Sequence, residues 1–389
     1  MRAHNKAAAL ALSAGLLLTA CGGDPQPRQD AEATPHGYVE GAEEAAEAQS
    51  RLVLADARGG AVRVLDLITE EVTRLDDIPA VEGISTDGRF AYLAAGESTH
   101  VVDSGAWMVD HGDHVHYYRA DIRGAGRIDG NAVAANTDSA VTAVALEDGT
   151  TALLDRPALE DGDVRAREPV EGIAVPYGQR LLVATNDGVT VRERRGEGAR
   201  AIGEPCPDPE GTAVTRRGVV FGCADGALLV SEDDGAFTGA KIPYPQSVPD
   251  AERATEFTHR PGSATLAAAA GQRGVWSLDV SERSWSRIET GPVVAANAVG
   301  EGGPLLTLTA DGVLHAYDSA TGEQIASRSL LTAPIDAGAT PVIQVDTSRA
   351  YVNDPAGRRV YEVDYNDDLR VARTFELDIE PAHLVETGR

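Results

Sequence analysis

The sequence VEGIAVPYGQRLLVATNDGVTVRE, residues 170–193, contains the unit from which the architecture can be predicted. It contains an apolar strand, a turn, a second apolar strand, an Asn-Asp-Gly turn and an alternating third strand. Such turns between alternating strands are typical of β-hairpins. The same order of segments recurs in residues 81–96, 210–230 and 300–323. The chain after residue 50 is therefore predicted to be all-β, built from repeated antiparallel strands.

The spacing of the repeats predicts a β-propeller. The first polar residue of each inner strand recurs every 39 to 49 residues, at Glu82, Asn131, Glu171, Glu210, Glu256, Asn297, Pro341 and His383. A period of this length with four strands per unit is typical of propeller blades. We expect eight four-stranded blades. Seven blades remain the alternative if the weak unit at 128–168 is wrongly assigned.

The two ends of the repeat region are complementary. Residues 51–76 supply three strands and lack an inner one, whereas PAHLVETGR (381–389) supplies one inner-type strand. If both ends share one blade, the ring closes and no sheet edge is left open. We therefore expect residues 51–389 to form a single propeller domain.

The N-terminus is typical of a bacterial lipoprotein. Arg2 and Lys6 precede a 14-residue apolar stretch, residues 7–20, which is too short to span a membrane. Leu18-Thr19-Ala20-Cys21 resembles a lipobox, so residues 1–20 are predicted to be a signal peptide and Cys21 a lipid anchor. Residues 22–50 carry seven acids and one base, which predicts a flexible acidic tether with a short helix at best. The protein is then extracytoplasmic and held at the cell membrane.

The charge excludes one class of partner. Asp and Glu number 61 against 34 Lys and Arg, a formal net charge of −27. A nucleic-acid-binding protein needs a basic surface, so we expect no nucleic acid partner. A self-repelling acidic protein of this kind is expected to be a soluble monomer that attracts cations or basic surfaces.

The segment DHGDHVHYY, residues 110–118, is the strongest candidate for a functional site. It contains three of the nine histidines, His111, His114 and His116, and lies in the repeat with the longest spacing. His114 and His116 are two positions apart, which places both imidazoles on one side of a strand. Three converging neutral imidazoles are a common way to bind zinc, with Asp110 or Asp113 as a ligand or as a carboxylate that orients a histidine. A solvated loop with a chance cluster is the alternative.

The chain resembles the AztD-like zinc metallochaperones, which serve ABC-type zinc importers. The resemblance rests on DHGDHVHYY, on HGYVEGAEEAAE (36–47), on the C-terminal PAHLVETGR and on the propeller repeat. It implies a zinc carrier, not an enzyme, that passes zinc to the solute-binding protein of an importer. It also implies zinc ligation by His111, His114 and His116, with His383 as the leading fourth ligand.

The fourth ligand has rivals. In a propeller, the connection between the third and fourth strands, where His111 is placed, lies on the opposite rim from the start of an inner strand, where His383 is placed. His259, in a turn after an inner strand, is expected on the same rim as His111. His36, in the tether, is a candidate ligand during transfer.

Two other features are open to more than one interpretation. Cys206 and Cys223 bracket a predicted hairpin, and an oxidising compartment would allow a disulfide between them. The alternative is that these two cysteines form a soft metal-binding pair. For the whole protein, the alternatives to a zinc carrier are a lipoprotein scaffold that binds a protein or cell-envelope ligand and, less favoured, a metal-dependent hydrolase. Metallo-hydrolases of the β-lactamase type use HxHxDH, whereas this chain has HGDHVH and lacks the helices of that fold.

Overall fold

The computed structural model of the protein describes residues 41–111, 114–331, 335 and 341–389. The predicted signal peptide, Cys21, His36 and Asp113 lie outside the described residues, so those predictions stay untested. No helix within the described ranges is long and apolar enough to cross a membrane.

The described residues are almost entirely β-structure. In chain order, the strands of the first third are β1 (Glu43–Ala45), β2 (Arg51–Ala55), β3 (Val62–Asp66), β4 (Val72–Arg74), β5 (Val81–Thr86), β6 (Phe90–Ala95), β7 (Ser98–Asp103), β8 (Ala106–Asp110), β9 (Val115–Arg119), β10 (Arg123–Asp129), β11 (Ala132–Thr137), β12 (Val141–Leu146) and β13 (Thr150–Asp155). A five-residue helix, α1 (Arg156–Glu160), follows β13.

The middle third continues the pattern. Its strands are β14 (Val170–Glu171), β15 (Ile173–Tyr177), β16 (Arg180–Thr185), β17 (Gly188–Arg192), β18 (Arg200–Ala201), β19 (Thr212–Thr215), β20 (Gly218–Cys223), β21 (Gly226–Asp233) and β22 (Ala236–Pro243). A single 3₁₀ turn, Asp250–Glu252, separates them from the last third.

The last third repeats the same succession of strands and ends with the C-terminal strand. Its strands are β23 (Thr265–Ala269), β24 (Val275–Asp279), β25 (Ser284–Ile288), β26 (Ala295–Ala298), β27 (Pro304–Leu308), β28 (Val313–Asp318), β29 (Gln324–Ser329), β30 (Ile343–Val345), β31 (Ala350–Asp354), β32 (Arg359–Asp364), β33 (Arg370–Glu376) and β34 (His383–Thr387).

These strands form eight larger antiparallel sheets in the described part of the chain. The sheet orders are β34-β2-β3-β4, β5-β6-β7-β10, β11-β12-β13-β14, β15-β16-β17-β18, β19-β20-β21-β22, β23-β24-β25, β26-β27-β28-β29 and β30-β31-β32-β33. In the three-stranded sheet, a single bridge between Thr258 and Ala267 stands at the inner position. The prediction of an all-β chain with four-stranded propeller-like sheets is confirmed.

The middle strands are buried because neighbouring sheets cover both faces. Every residue of Phe90–Ala95 is buried, whereas the outer strand Gln324–Ser329 is mostly exposed. Neighbouring sheets share apolar clusters; Phe90 and Tyr92, for example, pack with Val144 and Leu154 of the following sheet. This pattern explains why the second strand of each repeat is a continuous apolar run.

The C-terminal strand pairs with the first strand of the repeat region. His383 lies opposite Ala55 and Thr387 opposite Arg51, in antiparallel register. Leu52 and Leu54 of this joint sheet also pack with Tyr351 and Val360 of the last sheet. The predicted sharing of one sheet by the two ends of the repeat region is therefore confirmed.

Two local expectations were wrong. Glu43–Ala45 is a β-strand paired with β9, although the sequence predicts a tether up to residue 50 with a helix at best. The strand forms because β9 offers it an open edge, not because its own sequence favours β-structure. In addition, Glu171 does not begin an inner strand; it ends β14, the outer strand of the preceding sheet.

Candidate metal centre

The candidate site is carried by an arm, residues 106–119, which consists of β8, β9 and the residues that connect them. The arm is inserted between β7 and β10, the third and fourth strands of one sheet. The sequence analysis placed His111 in this same connection. Together with β1, the arm forms a small separate sheet in the order β1-β9-β8.

The base of the arm is tightly held. The Ala120 amide donates to the Gly105 carbonyl at 2.8 Å, and the Arg51 guanidinium donates to the Ser104 carbonyl at 2.6 Å. Gly105 has φ +64°, and a Cβ there would collide with the Ala120 carbonyl oxygen, so only glycine fits this turn. The arm therefore leaves the sheet in a defined direction.

The end of the arm carries a histidine cluster, which consists of His111, His114 and His116. The metal-binding nitrogen atoms of these three side chains all lie within 4.8 Å of one another. The ring centroid of His114 lies 4.9 Å from those of both His111 and His116. The His111 amide donates to the His114 carbonyl at 2.9 Å, which continues the pairing of β8 and β9 by one residue on each side.

The cluster is somewhat wider than a zinc site with three histidine ligands. With Zn–N bonds of about 2.0–2.1 Å, the nitrogen ligands of a tetrahedral site lie about 3.3 Å apart. To reach that spacing, the three side chains must rotate towards one another, and two of them are exposed to solvent. His111 and His114 are exposed and His116 is half-buried, so an ion or a competing ligand reaches the cluster directly from solvent.

A carboxylate that the sequence analysis missed lies behind the cluster. Nδ1 of His116 is 2.7 Å from Oε1 of Glu44 on β1. If Nδ1 donates to this carboxylate, Nε2 is left as the acceptor that a metal requires. The sequence pointed to Asp110 or Asp113 in this role. Asp110 ends β8 and Asp113 lies outside the described residues.

Glu44 reaches His116 because of the register of the small sheet. Glu44 lies opposite Tyr118, which is two residues from His116 and on the same face of β9. Burial and the Glu44 charge together raise the pKa of the Tyr118 phenol. Only the resemblance of residues 36–47 to the metallochaperone family pointed to this stretch of sequence beforehand.

The structure does not bring His383 to the histidine cluster. Arg51, which contacts the base of the arm, lies opposite Thr387, whereas His383 lies at the other end of that strand, about 13 Å away along it. The His383 imidazole instead contacts the Val81 carbonyl at 3.0 Å, and burial lowers its pKa despite this contact. The structure therefore does not support His383 as a fourth ligand.

His259, the rival fourth ligand, is also held elsewhere. Its Nε2 lies 3.2 Å from the Val214 carbonyl, and its backbone forms a bridge with Ala298 of the next sheet. Burial lowers the pKa of the His259 imidazole to about 4. Among the described residues, neither His259 nor His383 joins the cluster.

Cys206 and Cys223 form a disulfide. Their Cα atoms are 5.1 Å apart, and both residues are buried in the cluster between the fourth and fifth larger sheets. The disulfide interpretation is confirmed, which excludes these two thiols as metal ligands.

Comparison with solved structures shows which known proteins have a similar fold. The chain superimposes on AztD from Citrobacter koseri with a TM-score of 0.70 and 20% sequence identity, over 88% of this chain and 98% of that one. The apo form of the same protein gives 0.71 and 19%, with the same coverage. BamB from Moraxella catarrhalis gives 0.50 and 12%, over 80% of this chain and 90% of that one. The chain therefore has an AztD-like fold. No protein-family model and no curated protein sequence matches it.

Proposed function

We propose that this protein is an extracytoplasmic zinc carrier, anchored by lipid at Cys21, that delivers zinc to the solute-binding protein of an ABC importer. The observation that carries the proposal is the histidine cluster: three imidazoles at the exposed tip of an inserted arm, one of them backed by a carboxylate. The AztD-like fold and the resemblance of the histidine motif to the metallochaperones support it.

The exposure of the cluster favours transport over structural binding. Structural zinc sites are closed by four protein ligands, whereas three protein ligands leave a position open. In a carrier, that open position is where a ligand of the receiving protein enters before the histidines leave. The high negative charge of the chain, −27, raises the local concentration of cations around such a site.

For the architecture of the domain, we propose that the eight larger sheets are the eight blades of one closed propeller. The unit at 128–168 forms a sheet of its own, and the last sheet packs against the one that begins at residue 51. A closed ring gives the arm a rigid base, which a site that must present zinc in a fixed geometry requires.

The decisive experiment is a zinc titration of the mature protein, followed by transfer. Wild type is expected to bind one zinc at the cluster, and His114→Ala or His116→Ala to lose most of the affinity. His100→Ala is the matched control, because His100 lies within β7, opposite Leu93 and Arg127 of its own sheet. Its substitution is expected to leave zinc binding unchanged.

Transfer distinguishes a carrier from other zinc proteins. Zinc-loaded protein is mixed either with the apo solute-binding protein of a zinc importer or with a chelator of similar affinity. We expect zinc to reach the solute-binding protein faster than it reaches the chelator. Equal rates would mean that zinc is simply released, and wild-type binding by the His114→Ala protein would leave the scaffold function in place of the carrier.

A further inference from the structure

The histidine cluster is connected to the interior by a row of stacked flat groups. The rings of His116 and Tyr118 are nearly parallel, with centroids 6.3 Å apart and planes at 23°. Tyr118 stacks in turn on Trp107, at 5.4 Å and 21°. The Arg89 guanidinium lies over the Trp107 ring, 3.8 Å from its centroid. The row therefore runs from His116 to Arg89, a charged residue in the turn that connects β5 and β6.

The inner end of the row is immobilised. Arg89 forms two hydrogen bonds with Asp103, at 3.1 and 2.9 Å, and both side chains are almost fully buried, with 2% and 1% exposure. The Phe90 ring also contacts this guanidinium, with its centroid 5.0 Å from Cζ. A bidentate pair confined in this way has little freedom to rotate.

Asp103 also organises the turn from which the arm departs. Its carboxylate accepts a hydrogen bond from the Gly105 amide at 3.0 Å, directly before β8 begins. Tyr118 is fully buried and Trp107 is 5% exposed, so the arm is anchored to the body through these two rings. The outer end of the row, His116, is the half-buried member of the cluster.

We propose that Arg89 is a positioning residue for the metal site. By clamping Trp107, and through it Tyr118, Arg89 holds β9 so that His116 faces the other two histidines before zinc arrives. Preorganisation of this kind raises affinity, because less conformational freedom is lost on binding. The inference rests on the proposed zinc site.

The chain offers a matched control for this role. Arg287 lies over Trp276, 5.3 Å from the ring centroid, and pairs with Glu252 and Glu289. It therefore repeats the arginine–tryptophan arrangement in a sheet that has no part in the arm. Lysine at either position keeps the charge but loses the planar stacking and the bidentate geometry.

The experiment compares zinc affinity and melting temperature in the mature Arg89→Lys and Arg287→Lys proteins. We expect both substitutions to lower the melting temperature, and only Arg89→Lys to weaken zinc binding, by about tenfold, the lower end of the range for residues that orient metal ligands. Zinc affinity of Arg89→Lys within about twofold of wild type, or an equal loss in Arg287→Lys, would overturn the proposal.

A second pair of variants decides the matter if Arg89→Lys does not fold. Trp107→Phe keeps an aromatic ring in the stacked row. Trp107→Leu removes the ring but leaves an apolar side chain in its place. We expect Trp107→Phe to retain most of the zinc affinity that Trp107→Leu loses. Equal zinc affinities in the two variants would refute the proposal that the stacked row positions His116. Failure of the wild type to bind zinc would instead contradict the proposed function itself, so the two failures are distinguishable.

Discussion

Replacement of Glu44 by Gln tests the carboxylate that the structure adds to the zinc site. The change removes the negative charge 2.7 Å from Nδ1 of His116 and preserves the size of the side chain. The glutamine amide would still offer a carbonyl oxygen to the ring, so any loss of zinc affinity is due to the missing charge. We expect the zinc dissociation constant to rise by about tenfold, from the Coulomb energy worked out below.

The magnitude follows from the geometry. A zinc ion on Nε2 of His116 would lie about 6 Å from the Glu44 carboxylate, across the hydrogen bond, the imidazole ring and one Zn–N bond. For a divalent cation at this distance, Coulomb's law with the dielectric constant of water gives about 1.4 kcal/mol. The Glu44 side chain is 47% exposed, so the value for water is the appropriate one. That energy corresponds to about a tenfold change in affinity.

The assay is a competition titration against a chromophoric zinc chelator at constant pH and ionic strength. Glu43→Gln is the control, because Glu43 is the neighbouring residue on β1 and pairs with Arg119 at 2.8 Å, on the opposite face from His116. It removes the same charge from the same strand, and we expect less than about a threefold effect, since the charge lies farther from the metal. Equal losses in the two variants would show that only the strand or the net charge matters, and would refute the assignment of Glu44.

Three further predictions concern the stability of the folded domain. Deletion of residues 383–389 removes the strand that pairs with β2 and exposes the edge of that sheet. The buried side chains of Leu384 and Val385 alone account for about 3–6 kcal/mol of unfolding free energy, so we expect a lower melting temperature. A melting temperature near that of wild type would contradict closure of the sheet by this strand. Replacement of both Cys206 and Cys223 by Ala opens a crosslink between positions 17 residues apart, and we expect about 3 kcal/mol less stability in denaturant unfolding; an unchanged midpoint would argue against a stabilising bond. The His259 imidazole is kept neutral by burial, which lowers its pKa to about 4, so the unfolded chain takes up the proton first and stability falls as pH drops from about 6.5 towards 4. His259→Gln is expected to flatten that part of the plot of melting temperature against pH, and an identical slope in both proteins would rule out this contribution.

Much of the fold follows from the sequence because a propeller is built locally. Each sheet is a run of neighbouring strands joined by short turns, and the turn residues and apolar periodicity that specify it lie within one stretch of chain. The same holds for the arm and its histidines: His114 and His116 share a face through strand alternation alone. The pairing of the two ends was predictable because one end lacked the strand that the other supplied.

The remaining features of the site depend on contacts between segments that are distant in sequence. Glu44 lies 72 residues from His116 and is one of several acids in a stretch that otherwise has the composition of a tether. Nothing local marks it, since β1 has only three residues and exists through pairing with β9. Likewise, His383 occupies the inner-strand position that the repeat predicts, yet that position lies at the far end of the strand from the arm.

Sequence patterns therefore predicted the repeated sheets, the long connection that holds the histidine segment and three neighbouring histidines, because each depends on interactions within a few residues. The carboxylate behind His116, the separation of His383 from the cluster and the stacked row from Arg89 to the cluster emerged only from the folded chain. They are set by which sheet edge stands beside which, and by how far each strand extends. Those distances are properties of the packed sheets and leave no periodic signal in the sequence.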